Sequence, residues 1–290
     1  MNSSPQPWAA ERVVDFALAG TLIESQFPDL RLLSLEPLGE GWDNTAYLAN
    51  GLLVFRFPRR QVAAPLITTE CRVLPRIAPH LPLPIPVPRY LGRPTAEYPW
   101  PFAGYERIPG FSADRMNLDD HRRAEFARPL GRFLSVLHAL PMGDLGGDTL
   151  GRLNVERLAD RIRRCPEGIE SVVEESLDLR PGPRTVLVHG DLYLRHLLID
   201  DDLRLTGVID WGDVHANDPA VDLSIAWSFL PPDARPAFCD AYGPIEESSW
   251  RLARLRALHY GVVLLEYGRG TNDQVVFREA RTILRLVASE

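Results

Sequence analysis

Apolar residues recur at helical spacing over residues 8–25 (Trp8, Val13, Val14, Phe16, Leu18, Leu22, Ile23), which predicts an amphipathic helix ahead of the first strand. Short runs with strand character follow at Arg31–Leu38, Thr45–Leu48 and Leu52–Phe57. Gly39-Glu40-Gly41 and Asn50-Gly51 divide them, and glycine permits the tight reversals that an antiparallel meander needs. A helix is predicted near Pro65–Ile77. The chain then becomes proline-dense (PHLPLPIPVPRYLGRPTAEYPWP), which removes amide donors and favours extended backbone over helix. FAGYERI reads as a further strand, ending at Pro109-Gly110.

From Leu118 the pattern turns helical. Phe126, Leu130, Phe133, Leu134 and Leu137 share one face of a helix that closes before Pro141, with Pro129 marking either a kink or its true start. Thr185–Val188, Leu197–Ile199 and Leu205–Ile209 are short apolar strands, and helices resume near Pro219. Strands first and helices after indicate an α+β chain of two lobes. The expected division is a small antiparallel β lobe over residues 1–108 and a mainly α-helical lobe over 109–290.

Composition narrows the class. With 290 residues, 45% of them hydrophobic, the chain can bury a sizeable core. A net charge of −7, without a basic stripe interleaved with aromatics, argues against a nucleic-acid partner and suits a cationic small ligand. No apolar run approaches bilayer length and the first residues lack a basic leader with an apolar core, so neither a membrane nor secretion is expected. Cys71, Cys165 and Cys239 are scattered and odd in number, which fits a reducing cytoplasm better than a disulfide framework or zinc site. All 32 basic residues are arginine, so no mechanism here can use a lysine.

The densest chemistry lies in VLVHGDLYLRHLLIDDDLRLTGVIDWGD, residues 186–213. Asp191 and Asp210 each follow an apolar strand, and the hairpin-like excursion between them is expected to bring both carboxylates to the same side of one sheet. Phosphoryl transfer to an alcohol needs one carboxylate to take the hydroxyl proton and another to hold the metal on the nucleotide phosphates. His189-Gly190-Asp191 after a strand, followed by Ile-Asp-Trp-Gly-Asp after another, resembles the catalytic and metal segments of the aminoglycoside phosphotransferases, relatives of the protein kinases.

That resemblance implies a two-lobed protein-kinase-like fold and a set of roles. Asp191 becomes the catalytic base. Asp210 becomes the main magnesium ligand, with Asp213 either assisting or facing solvent. The family pattern HGDxxxxN has His196 at its asparagine, as in macrolide phosphotransferases, so His196 is the second candidate at the metal. Asp218 and Asp222 are expected to be structural, bracing the catalytic loop and starting the next helix. Gly39, Gly41 and Asn44 form the glycine turn that lets backbone amides approach phosphates. Arg56 in VFRFP stands where kinases carry a lysine, with Glu70 as its partner. Glu106 and Ile108 would offer backbone groups to the purine.

The implied activity is ATP- or GTP-dependent, Mg2+-dependent O-phosphorylation of an aminoglycoside or related antibiotic. The alternatives are a macrolide or metabolite kinase (choline, homoserine, sugar) of the same fold, or a nucleotide-binding protein without catalysis. Asp240, Glu246, Glu247, Glu266 and Asp273 are the acidic residues available to a cationic acceptor. A monomer or weak homodimer is expected.

Overall fold

The computed structural model describes residues 10–41, 43–165 and 170–289, the side chains of 170 and 171 excepted. The chain divides into two compact units. One runs to Pro79 and takes up Pro84–Ile108; the other holds His80–Leu83 and Pro109–Glu290.

The first unit is a five-stranded antiparallel sheet in the order β1-β2-β3-β5-β4: β1 Leu35–Glu40, β2 Asn44–Ala49, β3 Leu53–Pro58, β4 Pro88–Gly92 and β5 Phe102–Glu106. Phe55, Phe57 and Phe102 are fully buried at its centre, with Phe57 and Phe102 stacked 4.7 Å apart. Such rings, each worth about 1.5–3 kcal/mol on burial, fix which sheet face turns inward. Helix α1 (Phe16–Gln26) adds Ala19, Leu22 and Ile23 to that core, and α2 (Ala64–Ile77) packs against β4 and β5.

Two boundaries differ from the sequence pattern for local reasons. The first helix begins at Phe16 because the Asp15 carboxylate accepts from Leu18 N (2.8 Å) and caps it; Val13 and Val14 precede it, and Trp8 lies outside the described residues. The first strand begins at Leu35 because Asn50 holds the residues before it. Its side chain accepts from Leu33 N and Ser34 N and donates to Arg31 O, replacing ladder bonds. Gly39 and Glu40 then belong to β1, just past a bulge, and β2 begins at Asn44; Trp42, between the two strands, lies outside the described residues.

The second unit opens with β6 (Phe111–Ser112), α3 (Asp120–Ala124) and α4 (Ala127–Leu137). Pro129 falls in the first turn of α4, where no intrahelical amide is lost. Helices α5 (Val155–Arg163) and α6 (Glu170–Glu174) lead to β7 (Val186–Val188), β8 (Leu197–Ile199), β9 (Leu205–Val208) and β10 (His215–Asn217). The wholly buried α7 (Ala220–Ser228), then α8 (Arg235–Tyr242), α9 (Glu247–Thr271) and α10 (Gln274–Ala288), complete the unit. Among the described residues no helix is long and apolar enough to cross a membrane.

The expectation of a single sheet beneath both carboxylates is corrected. β7 pairs with β10, whereas β8 pairs with β9 and β6, giving two small antiparallel sheets. Asp191 leaves the first sheet and Asp210 follows the second. Two short sheets suffice because β7 and β8 are separated by a polar turn and a single 3-10 turn (Leu194–His196), which redirects the chain.

Candidate active site

The turn after β7 is held by its own backbone. Gly190 has φ +92, and a Cβ there would lie well inside contact with the Asp213 carbonyl oxygen, so only glycine fits. The amides of His189 (2.7 Å) and Gly190 (3.0 Å) donate to the two carboxylate oxygens of Asp222, which is fully buried at the start of α7. His138 Nε2 lies 3.2 Å from the same carboxylate, and its Nδ1 is 2.9 Å from the Tyr242 hydroxyl. Burial alone would raise the Asp222 carboxyl; the His138 bond and charge, His189 and the Gly190 amide overcome it and hold the carboxyl below its usual range. From the other side, Arg256 of α9 donates to Gly190 O (3.0 Å) and Val221 O (3.1 Å).

His189 ties this turn to the second sheet. Its Nε2 donates to Ile209 O (3.0 Å), its ring lies 4.6 Å from that of Trp211, and burial pulls its basicity down. A neutral ring can donate at Nε2 while Nδ1 accepts from Asp191 N (3.3 Å). Trp211 is fully buried and donates to Val208 O (2.9 Å), which fixes the residue before it. That residue, Asp210, adopts φ +64, a backbone conformation rare outside glycine and costing on the order of 1 kcal/mol or more.

His196 joins the two carboxylates. Nδ1 donates to the Asp191 carbonyl oxygen (2.7 Å) and lies 3.8 Å from its carboxylate, while Nε2 lies 3.2 Å from Asp210 Oδ2. Burial lowers the basicity of this imidazole, but the Asp210 charge and hydrogen bond, with Asp191 behind them, hold it above the ordinary histidine value. Asp191 and Asp210 keep 31% and 46% of their side-chain surface, enough for a ligand to reach both. Asp213 is paired with Arg152, which also holds Asp148 (2.9 Å). Asp218 accepts from Gly182 N (2.7 Å), Ala220 N (2.8 Å) and Ser249 Oγ (3.2 Å), bracing the loop ahead of α7.

The donor set fits magnesium. Asp210 offers accessible hard oxygen, and His196 Nε2, turned toward that carboxylate by the Nδ1–carbonyl bond and donating its proton to it here, would face a bound cation only on giving that proton up. Among the described residues no group of three or more His, Cys, Asp or Glu could hold a metal ion, so water and phosphate oxygens would complete the shell.

In the first unit, Arg56 Nη1 contacts both Glu70 oxygens (2.9 and 3.0 Å), and Glu70 is 1% exposed. Gly41 N donates to Asn44 O (2.9 Å), and Arg59 and Arg60 tie the turn through Gly41 O and Asp43. A Cβ at Gly39 would meet nothing within 4 Å, so internal packing does not demand glycine there. Asn44 Oδ1 and Thr45 Oγ1 are buried without a hydrogen-bond partner among the described residues. Glu106 ends β5 and pairs with Arg89, and the Arg107 amide, just before Ile108, closes on Leu52 O (2.8 Å). Sequence reasoning missed His138, Arg256 and Arg152. Their partners are 84, 66 and 61 residues away, a separation that no local motif marks.

An antiparallel-sheet unit, a mainly helical unit and a turn-held aspartate linked through histidine to a second aspartate define a kinase-like phosphotransferase. The chain belongs to the phosphotransferase enzyme family, whose model matches residues 34–258. An aminoglycoside 3'-phosphotransferase of Streptomyces fradiae is 29% identical over 175 residues, 54% of this chain and 63% of that one, so the match spans less than two thirds of that relative. The GDP and kanamycin complex of an APH(2") enzyme shares 26% identity and a TM-score of 0.71 over 93% of this chain and 98% of its own. A macrolide 2'-phosphotransferase type I, at 23% identity and TM-score 0.66 over 96% and 100% of the two chains, shares the fold.

Proposed function

We propose that this protein moves the γ-phosphoryl group of ATP or GTP to a hydroxyl of a small molecule of the antibiotic class, with Asp191 as base. The observation that carries this reading is the Asp191–His196–Asp210 linkage on a turn fixed by Asp222. A structural turn has no need of two accessible carboxylates bridged by a buried imidazole. The relative solved with GDP and kanamycin supports a purine nucleotide as donor and a hydroxylated antibiotic as acceptor.

In this reading the acceptor hydroxyl oxygen attacks the γ-phosphorus as the bond to the bridging oxygen breaks, and the nucleoside diphosphate leaves. Asp191 orients the hydroxyl and receives its proton. Magnesium, when bound, neutralises charge on the phosphate oxygens, and Asp210 with His196 would hold it. Arg56, set by buried Glu70, is the cation assigned to the phosphates. Its guanidinium can meet carboxylate and phosphate at once, which a lysine ammonium does less directionally. Gly39, Gly41 and Asn44 are assigned to the phosphates, Glu106 and Ile108 to the base, so residues 1–108 serve the nucleotide and 109–290 the chemistry.

The test is nucleotide consumption by the purified protein with ATP and GTP in parallel, with magnesium, against aminoglycosides, macrolides and metabolite alcohols. Acceptor-stimulated consumption is expected. Asp191→Ala should abolish it while nucleotide affinity stays; turnover retained in that variant sinks the assignment.

A further inference from the structure

The catalytic loop carries a cation to which phosphoryl transfer gives no part. Arg195 lies in the 3-10 turn Leu194–His196 that follows Asp191, and its guanidinium forks between two distant carboxylates. Nε is 2.8 Å from Asp114 Oδ2, in the turn after β6, and Nη2 is 3.2 Å from Asp273 Oδ2, just ahead of α10. Each carboxylate has a second task. Asp273 Oδ1 accepts from Val275 N (3.0 Å) and Val276 N (3.1 Å) and so caps α10. Asp114 Oδ1 lies 2.7 Å from Ser112 Oγ of β6, and the same hydroxyl lies 2.7 Å from the Arg195 carbonyl oxygen.

That carbonyl belongs to the peptide carrying the His196 amide. The contacts therefore close into a ring, from the guanidinium through Asp114 and Ser112 back to the Arg195 backbone. His196 N donates to Tyr193 O (2.9 Å) and His196 O accepts from Ile209 N (2.9 Å), so the backbone is held on both sides of the imidazole that bridges Asp191 and Asp210. An isolated, partly exposed ion pair contributes little to stability. A planar fork on two carboxylates fixes direction as well as distance, and a shift in the turn that carries it would move the imidazole. Two further ion pairs pin α10 to the stretch after β6, Arg123–Glu279 (2.7 Å) and Arg285–Asp120 (2.6 Å), and neither includes a residue of the catalytic loop.

We propose that Arg195 is a positioning residue: by tying the Leu194–His196 turn to Asp114 and to the cap of α10, it holds the His196 imidazole in register with Asp191 and Asp210. This rests on the phosphotransfer reading, which gives the Asp191–His196–Asp210 linkage a reaction to serve.

Arg195→Met, made in the full chain, keeps most of the side-chain length and removes the fork. Acceptor-dependent kcat should fall by about tenfold or more and the Mg2+ concentration for half-maximal turnover should rise by a similar factor, while the acceptor KM stays within about twofold. Hydrogen exchange followed by mass spectrometry reads the loop without turnover, and amides of residues 190–199 should exchange about tenfold faster. Arg195→Lys, which can meet one carboxylate but cannot fork, should recover part of both losses. Arg285→Met releases α10 from the same stretch without touching the loop, and should leave kcat and loop exchange within about twofold of wild type. Thermal melting checks that each variant is folded, and Asp114→Ala repeats the test should Arg195→Met not fold. Either kcat or loop exchange within about twofold of wild type in the folded Arg195→Met variant, or equal losses in Arg285→Met, overturns the proposal. Faster loop exchange in Arg195→Met, in a chain whose wild type transfers no γ-phosphate to any acceptor, would instead sink the phosphotransfer reading and leave the tie between Arg195 and the loop standing.

Discussion

Replacing Asp222 by asparagine changes one oxygen to an amide and nothing else in shape. In the wild type, Oδ2 takes the His189 amide (2.7 Å) and His138 Nε2 (3.2 Å), and Oδ1 takes the Gly190 amide (3.0 Å). Asparagine keeps a single acceptor oxygen, so at least one buried N–H must face an NH2 group. An orphaned buried donor costs about 1–3 kcal/mol, and the remaining bonds lose their charge assistance, so a loss of roughly 2–4 kcal/mol is expected. In a chain of this size that corresponds to a fall in melting temperature of roughly 3–7 °C. The wild-type carboxyl sits below its usual range, so its contribution is fully present above the unfolded value near pH 4 and is lost as pH falls through the lower folded value. The Asp222→Asn variant should therefore approach wild-type stability in strong acid and fall short of it at neutral pH. Turnover should drop more than nucleotide affinity, because the turn carrying Asp191 is what the carboxylate holds. Melting curves from pH 2.5 to 7.5, with acceptor-dependent turnover at pH 7, give the readout. A variant that melts with wild type at pH 7, or a stability gap that widens in acid, refutes the reasoning.

Gly190→Ala places a methyl against the Asp213 carbonyl at φ +92, so the turn must move; turnover should fall by about 100-fold or more, and activity near wild type would contradict the steric argument. Arg56→Ala leaves Glu70, 1% exposed, without the guanidinium that meets both its oxygens and should cost about 3 kcal/mol of stability along with nucleotide affinity. Arg56→Lys should recover most of the stability and less of the turnover, seen by comparing melting temperature with nucleotide Kd and kcat.

The residues legible in the sequence are those whose work is local. Asp191 and Asp210 each follow a short apolar strand, and Gly190 stands where the backbone must turn, so strand pattern and motif order were enough to mark them. The order of strands and helices carried the fold class for the same reason: period-2 and period-3.6 patterns are set within a few residues. Boundaries went astray where one side chain overrode the pattern, as Asn50 does for residues 31–34 and Asp15 does for the first helix.

What no pattern could supply is how the two carboxylates are brought together. A hairpin between Asp191 and Asp210 is present in part, as β8 and β9, yet β7 turns away to pair with β10, and sheet register alone leaves Asp191 unlinked to Asp210. The link is side-chain chemistry. His196 bonds the Asp191 backbone on one nitrogen and faces the Asp210 carboxylate on the other, while His189 bonds Ile209 O and packs on Trp211. Two histidines thus do across two sheets what one continuous sheet would have done with backbone. An asparagine at 196 has a shorter reach and no second ring nitrogen, so the histidine in this chain has a positional role in addition to any metal it helps to hold.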